Sequence, residues 1–330
     1  MALKRDLTHN SQHGAPVGQP GGLKEPAFKA PKNWDIKRPS QAFGYFWVTL
    51  RRAKVQRTLL WVILFLRHLR TFWPLFFAAR GSPLHRFVKA RPEVFEMALA
   101  PYVAANWDTP TKIARIINHC ETAATMSGVV DFPLDDAVEL IRLTAIDARY
   151  RLTIDQSRWL LREGQLVFGL WDGIDRIFHL SFCLATEAGK RVAYIGCLQG
   201  RPQWDHEPNI MDRYRVFTKL AFGTRPRDFI VEVFKMFCRE LNIAEIRAIS
   251  DLNTPDRSID DIKLSYDEVW RERGGVYDGN GFFIIPVTAD RRSEENIPAK
   301  KRAMYRKRYS MLADIEKELA ARLKPMARGS

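Results

Sequence analysis

No two cysteines in this 330-residue chain stand in a CxxC spacing, and no histidine lies at a zinc-ligand interval from Cys120, Cys183, Cys197 or Cys238. Zinc ribbons and small disulfide frameworks need such spacings, so the expectation is buried free thiols in a reducing compartment and no metal. Long apolar runs are lacking too: Leu59–Leu66 gives eight residues before Arg67, His68 and Arg70 interrupt it. A transmembrane helix takes about 20 apolar residues, and each central Arg costs roughly 2.5–3.5 kcal/mol, so a span is not expected. No apolar core follows the first charges, which argues against a secretory leader and for retention in the cytoplasm. Acidic residues are scarce in the first 80 positions, where Asp6, Glu25 and Asp35 face 14 Lys or Arg, a surplus of 11 within the chain's +14. Such a basic extension is drawn to anionic lipid or to nucleic acid by the same physics. Nucleic acid is the weaker partner, because no recognition motif or stacking platform accompanies the charge.

The chain has 46% hydrophobic and 27% charged residues, which excludes global disorder and a multi-span membrane protein. Residues 1–40, rich in Gly, Pro, Lys and Gln, read as a disordered basic arm. Residues 41–83 read as an apolar and basic helical segment reaching Pro74. Two placements stay open for it. It packs on the main domain, or it lies in the membrane interface with Trp61, Phe65, Phe72, Trp73, Phe76 and Phe77 inserted and Arg51, Arg52, Lys54, Arg57, Arg67 and Arg70 on head groups. Residues 84–164 are expected to be a helical subdomain, with helices near 91–104, 109–126, 134–146 and 154–163. Asp108 and Pro110 mark the start of the second.

From residue 165 the period changes to two. QLVFGLWDG (165–173), RIFHLSFCLA (176–185) and RVAYIGCLQG (191–200) predict an antiparallel meander. Along its second strand Phe178, Leu180, Phe182 and Leu184 share one face, and His179, Ser181 and Cys183 the other, where they could line a cleft. A long helix is predicted from Pro226, with Phe229, Val233, Phe234, Phe237 and Leu241 at helical spacing. AEIRAISD then reads as a strand, LSYDEVWRERGG as a short helix, GFFIIPV as a strand, and the basic tail as a helix striped by Tyr305, Tyr309, Leu312, Ile315, Leu319 and Leu323. The fold class is therefore α/β (α+β), a helical N-terminal half before a mixed sheet with flanking helices.

The tail IPAKKRAMYRKRYSML (297–312), with LQGRP (198–202), GTRP (223–226) and YDEVW…GG (266–275), resembles the VirK/YbjX family of bacterial proteins, as does the helical RPEVFEMALAPYVAANWDTPTKIARIINHC. That resemblance implies an association with envelope properties and virulence. The order of elements after residue 165 is in turn similar to the GNAT acyltransferase fold. There, backbone amides at the start of the central helix bind the pyrophosphate of coenzyme A, as any helix N-terminus favours an anion. The usual Q/R-x-x-G-x-G/A signature is not matched; the nearest stretches hold Gln199, Gly200 and Arg201, and Gly223, Thr224, Arg225 and Arg227. The implied donor is acyl-CoA or an acyl carrier protein thioester, used at the inner face of the membrane.

Direct acyl transfer needs a base for the acceptor and an acid for the leaving thiolate. Asp251, at the end of a strand, and His179 are the candidate bases; Tyr266 is the candidate acid, with Tyr277 as the other tyrosine late in the fold. His179 and Cys183 lie ~13 Å apart along one strand and cannot act as a pair. Trp270, Lys301, Tyr305 and Arg308 are candidates for a phosphate-bearing substrate. For most of these a bland alternative stands: Asp251 as a helix cap, His179 as a packed residue, the tail as a solvated charged face. A non-catalytic membrane adaptor and a metabolite sensor are the competing functions.

Overall fold

The computed structural model describes residues 44, 46, 47, 50 and 55–328, except 92, 127, 134–135, 157–161, 202–208 and 256–264; the arm expected over 1–40 lies outside them. Strands β1 (Ala137–Arg142), β2 (Tyr150–Asp155), β3 (Leu166–Asp172), β4 (Asp175–Glu187) and β5 (Lys190–Gly200) form an antiparallel meander. Strand β6 (Ile243–Ile249) pairs in parallel with β5. With β7 (Val276–Tyr277) and β8 (Phe282–Ile285), the order across the sheet is β1-β2-β3-β4-β5-β6-β8-β7. A parallel neighbour requires a crossover rather than a hairpin. The crossover here holds two helices, α6 (Ile210–Leu220) and α7 (Pro226–Glu240), so α7 is delivered onto one sheet face.

The alternation predicted for β4 sets the two faces. Phe182 meets Phe234 of α7 with ring centroids 4.8 Å apart, and Phe168 of β3 meets the same ring at 5.7 Å. Phe229, Val233, Phe234 and Phe237 are fully buried, and each such side chain contributes roughly 1.5–3 kcal/mol of burial. The last helix, α9 (Ala299–Arg328), lies over α7: Ile315, Leu319 and Leu323 are buried, and Arg239 pairs with Glu316 at 2.6 Å. The opposite sheet face is covered by α5 (Thr109–Ala124), whose His119 Nδ1 accepts the Leu184 N–H of β4 at 3.1 Å. Asp108 caps α5 by accepting the Thr111 N–H at 2.9 Å.

Two predicted helices are corrected. The stretch 134–146 holds β1, and 154–163 begins inside β2. Val138 and Ile141 stand at helical spacing, but Tyr150, Leu152 and Ile154 alternate with Arg151, Thr153 and Asp155, and β2 pairs with β3 from Tyr150–Asp172 to Asp155–Val167. The sheet thus starts before residue 165, within the segment expected to be helical. The helix expected over 91–104 is shorter, α4 (Val94–Leu99), because Pro101 disfavours helical geometry in the residue before it; α3 (Pro83–Ala90) precedes it.

The apolar segment forms α1 (Val55–Arg67) and α2 (Leu69–Phe76), bent by 92° at the break, and α2 runs through Pro74. No single helix among the described residues is long and apolar enough to cross a membrane. Trp61, Phe65, Phe72 and Phe76 are buried, Phe65 and Phe76 lying 4.2 and 6.2 Å from Phe46. These four pack inward, whereas Trp73 and Phe77 stay exposed and stack at 4.0 Å. Leu59, Leu60, Ile63, Leu66 and Leu69 are exposed beside them. Arg67 and Arg70 are exposed as well, and Arg51, Arg52 and Lys54 lie outside the described residues.

Candidate functional site

The start of α7 opens onto a groove of about 820 Å³ between α6, α7 and α9. Helix α6 contributes Met211, Tyr214, Arg215 and Thr218, residues at i, i+3, i+4 and i+7 that helical geometry puts on one face. Lys219, Gly223, Arg225 and Arg227 add charge and an approachable backbone, while Phe178 and Met304 supply apolar wall. The linking turn needs its glycine. Gly223 sits at φ +79°, and a Cβ there would come within 3.0 Å of the Arg308 guanidinium. Arg308 donates twice to the Phe222 carbonyl, at 2.8 and 3.1 Å, which ties α9 to the turn.

Arg225 occupies the N-cap in extended backbone without a side-chain cap, and Pro226 follows as the first helical residue. The amides of Arg227 and Asp228 are therefore the first that the helix presents. The cations at the rim differ in availability. Arg227 is engaged with Asp228 at 2.9 Å and Glu272 at 3.0 Å, and Arg273 also binds Asp228. Arg215 pairs with Asp212 at 2.6 Å with both side chains mostly exposed, an arrangement worth little in water. Arg225 and Lys219 are exposed and have no ion-pair partner among the described residues. The groove therefore carries unspent positive charge over an apolar wall.

The nominated residues distribute unevenly around it. Gly223, Arg225 and Arg227 line the groove, while Thr224 is buried outside its lining. Gly200 is adjacent through α6, since a Cβ on it would collide with the Tyr214 hydroxyl, which donates to the Ile177 carbonyl at 2.9 Å. Arg201 points to Asp175 instead, at 2.6 Å, where Arg213 binds the other oxygen at 2.7 Å. Burial alone raises the Asp175 carboxyl, but hydrogen bonds from Arg201 and Arg213 outweigh it and hold it below the usual carboxylate range. Gln199 is exposed and pairs with His179 across the ladder.

Asp251 caps a helix start. Its carboxylate accepts the Ser265 hydroxyl at 2.7 Å, the Tyr266 N–H at 2.6 Å and the Asp267 N–H at 3.4 Å, fixing the start of α8 (Tyr266–Glu272). His179 faces away from the groove, on the sheet face opposite Phe178, with Nε2 3.9 Å from Cys197 Sγ. Desolvation, and then the Arg176 charge, push its pKa down to about 3, so it is a neutral imidazole. Tyr266 is buried, and its hydroxyl accepts the Leu198 N–H at 3.2 Å. Desolvation and the neighbouring Cys197 raise it well above an ordinary phenol.

Trp270 is fully buried, donating to the Ile249 carbonyl at 2.8 Å, so it packs α8 rather than lining a pocket. Tyr277 is half exposed on β7 against Phe283. Lys301 is exposed on α9, whereas Tyr305 lies under the Arg308 guanidinium, 4.3 Å from ring centroid to charge. Sequence reasoning missed Met211, Tyr214, Arg215, Thr218 and Lys219. The helical spacing of the first four was the available signal.

One family model and several uncharacterized relatives match the chain. Residues 50–321 match the family described as protein of unknown function DUF535. An uncharacterized protein of Escherichia coli (strain K12), YbjX, is 26% identical over 67% of this chain and 69% of its own length. Two uncharacterized proteins of Haemophilus influenzae are 28% and 34% identical, over 53% and 42% of this chain and 58% and 45% of their own lengths. No solved structure matches. With its family match running from α1 into α9, the chain belongs to the DUF535 family, the group of YbjX.

Proposed function

We propose that this protein is an acyltransferase of the cytoplasmic membrane surface, and that the groove at the start of α7 takes a phosphate-bearing acyl thioester donor, coenzyme A or acyl carrier protein. The observation that carries this reading is the pair of cations Arg225 and Lys219, without an ion-pair partner among the described residues, at a helix N-terminus over an apolar wall, in a groove of about 820 Å³. Phosphate is favoured by cations and free amides together, and an acyl or pantetheine chain by Phe178, Met211 and Met304. The order of elements supports it as well: antiparallel strands, a crossover ending in a long helix, a parallel strand, a short helix and a strand. Strand β5 leaves β6 after Ile195–Ala248, and Tyr266 holds the Leu198 amide beyond that point. Tyr266 lies outside the groove lining, buried with its hydroxyl against Cys197, so we assign it no part in protonating the leaving thiolate.

The exposed row Leu59, Leu60, Ile63, Leu66, Leu69, Trp73 and Phe77 supports work at a lipid surface, and the VirK/YbjX resemblance supports an acceptor in the envelope. One observation favours the second reading, a non-catalytic membrane adaptor: the carboxylate nominated as base accepts three hydrogen bonds at a helix start. Thermal shift and native mass spectrometry with coenzyme A and acyl-CoAs of rising chain length test the donor site. Saturable 1:1 stabilisation that strengthens with chain length and falls at least tenfold in affinity in Arg225→Ala is expected. An absence of binding by every coenzyme A species and by acylated carrier protein would leave the adaptor.

A further inference from the structure

The sheet face turned away from the groove carries a second cluster, and it is built by register. On β4 and β5, His179 pairs with Gln199 and Ser181 with Cys197, so His179 and Cys197 stand diagonally on neighbouring strands with their side chains on one face. The ladder shifts register between Ser181 and Phe182, leaving Gly196 as the extra residue of β5. A Cβ on Gly196 would run into the Glu163 carbonyl, and one on Gly164, at φ +151°, would come within 2.6 Å of the Phe182 backbone. Two glycines thus let the Glu163–Gly164 segment lie flat on the strands. That contact delivers the Glu163 carboxylate to the pair: an oxygen of Glu163, a ring nitrogen of His179 and the Cys197 sulfur all lie within 4.8 Å of one another.

We propose that Glu163, His179 and Cys197 bind one divalent cation of the zinc class. Oxygen, imidazole nitrogen and thiolate are the donor types this ion takes, and three protein ligands leave one tetrahedral position for a fourth. An incoming cation displaces the Cys197 thiol proton to solvent as the S–metal bond forms. Ser181, directly opposite Cys197, has a fully buried hydroxyl with no hydrogen-bond partner among the described residues, and the Tyr266 hydroxyl contacts Cys197. Both are placed to complete or support the ligand shell. No other such group of His, Cys, Asp and Glu occurs among the described residues. The linear intervals that argued against a metal do not apply, because the ligands come from two strands and a crossing loop. This site is independent of the groove and of the donor that occupies it.

The test is titration of chelator-treated, full-length protein with Co2+, followed by absorbance and by displacement with Zn2+. One Co2+ per chain with a thiolate-to-cobalt charge-transfer band in the near ultraviolet is expected. The band should vanish in Cys197→Ser, persist in Cys183→Ser, and appear only at tenfold or higher Co2+ in His179→Gln and Glu163→Gln. Far-ultraviolet circular dichroism certifies each fold, and the two ligand-conserving-size variants keep the test decisive if Cys197→Ser misfolds. No thiolate band, or a band unchanged in the His179 and Glu163 variants, overturns the proposal.

Discussion

Acidification should destabilise this fold above the range where carboxylates titrate, and the buried imidazole of His119 is one source of the effect. Its ring is 4% exposed in α5, and its Nδ1 must stay unprotonated to accept the Leu184 N–H of β4. Desolvation, then the nearby Arg91 charge, hold its pKa at about 3. The unfolded chain takes up this proton near pH 6.5, whereas the folded one does not until about pH 3. Between those values unfolding binds a proton, so stability falls as pH falls. At about 1.4 kcal/mol per pH unit, the loss from neutral pH to about pH 4.5 comes to roughly 2–3 kcal/mol from this one group. His119→Asn keeps an acceptor near the Nδ1 position and removes the titration. Urea unfolding at the two pH values should show the variant less stable at neutral pH, through lost packing, but losing roughly 2–3 kcal/mol less on acidification. Equal pH-dependent losses in the two proteins would refute the reasoning.

The Asp251 carboxylate accepts three hydrogen bonds at the start of α8. Asp251→Ala should therefore cost about 1–3 kcal/mol in urea unfolding, and Asp251→Asn, which keeps an acceptor, less than half of that. The exposed side chains of α1 and α2 should matter to lipid and not to folding. Changing Leu60, Ile63 and Trp73, which are 53%, 53% and 54% exposed, to Ser should leave the melting temperature within error. Co-sedimentation with phosphatidylglycerol vesicles should weaken at least tenfold, since each apolar side chain transferred is worth about 1–2 kcal/mol. Binding unchanged by the triple substitution would remove the membrane part of the account.

Where one period dominates, the sequence could be read directly. The strands β3, β4 and β5, the start of α7 at Pro226 and the buried stripe Ile315, Leu319 and Leu323 follow from alternation, a helix-start signal and helical spacing. β1 and β2 were misread because Val138 and Ile141 fit a helix, and only the β2 pairing with β3 decides the matter. The nominated anion residues Gly223, Arg225 and Arg227 do line one groove, yet Met211, Tyr214, Arg215 and Thr218 of α6, which complete it, show only a helical spacing in the sequence. The Glu163, His179 and Cys197 cluster was hidden for a different reason. Its members are distant in sequence, and strand register with a bulge at Gly196 brings them together. His179 was weighed against Cys183 on its own strand, when its neighbour is on the next.

Hydrogen exchange with and without a saturating long-chain acyl-CoA tests the central claim most directly. Protection confined to residues 210–228 and the facing turn of α9 around Met304, and abolished in Arg225→Ala, is the result the account predicts. Protection elsewhere, or none at any concentration up to the millimolar range, would contradict it.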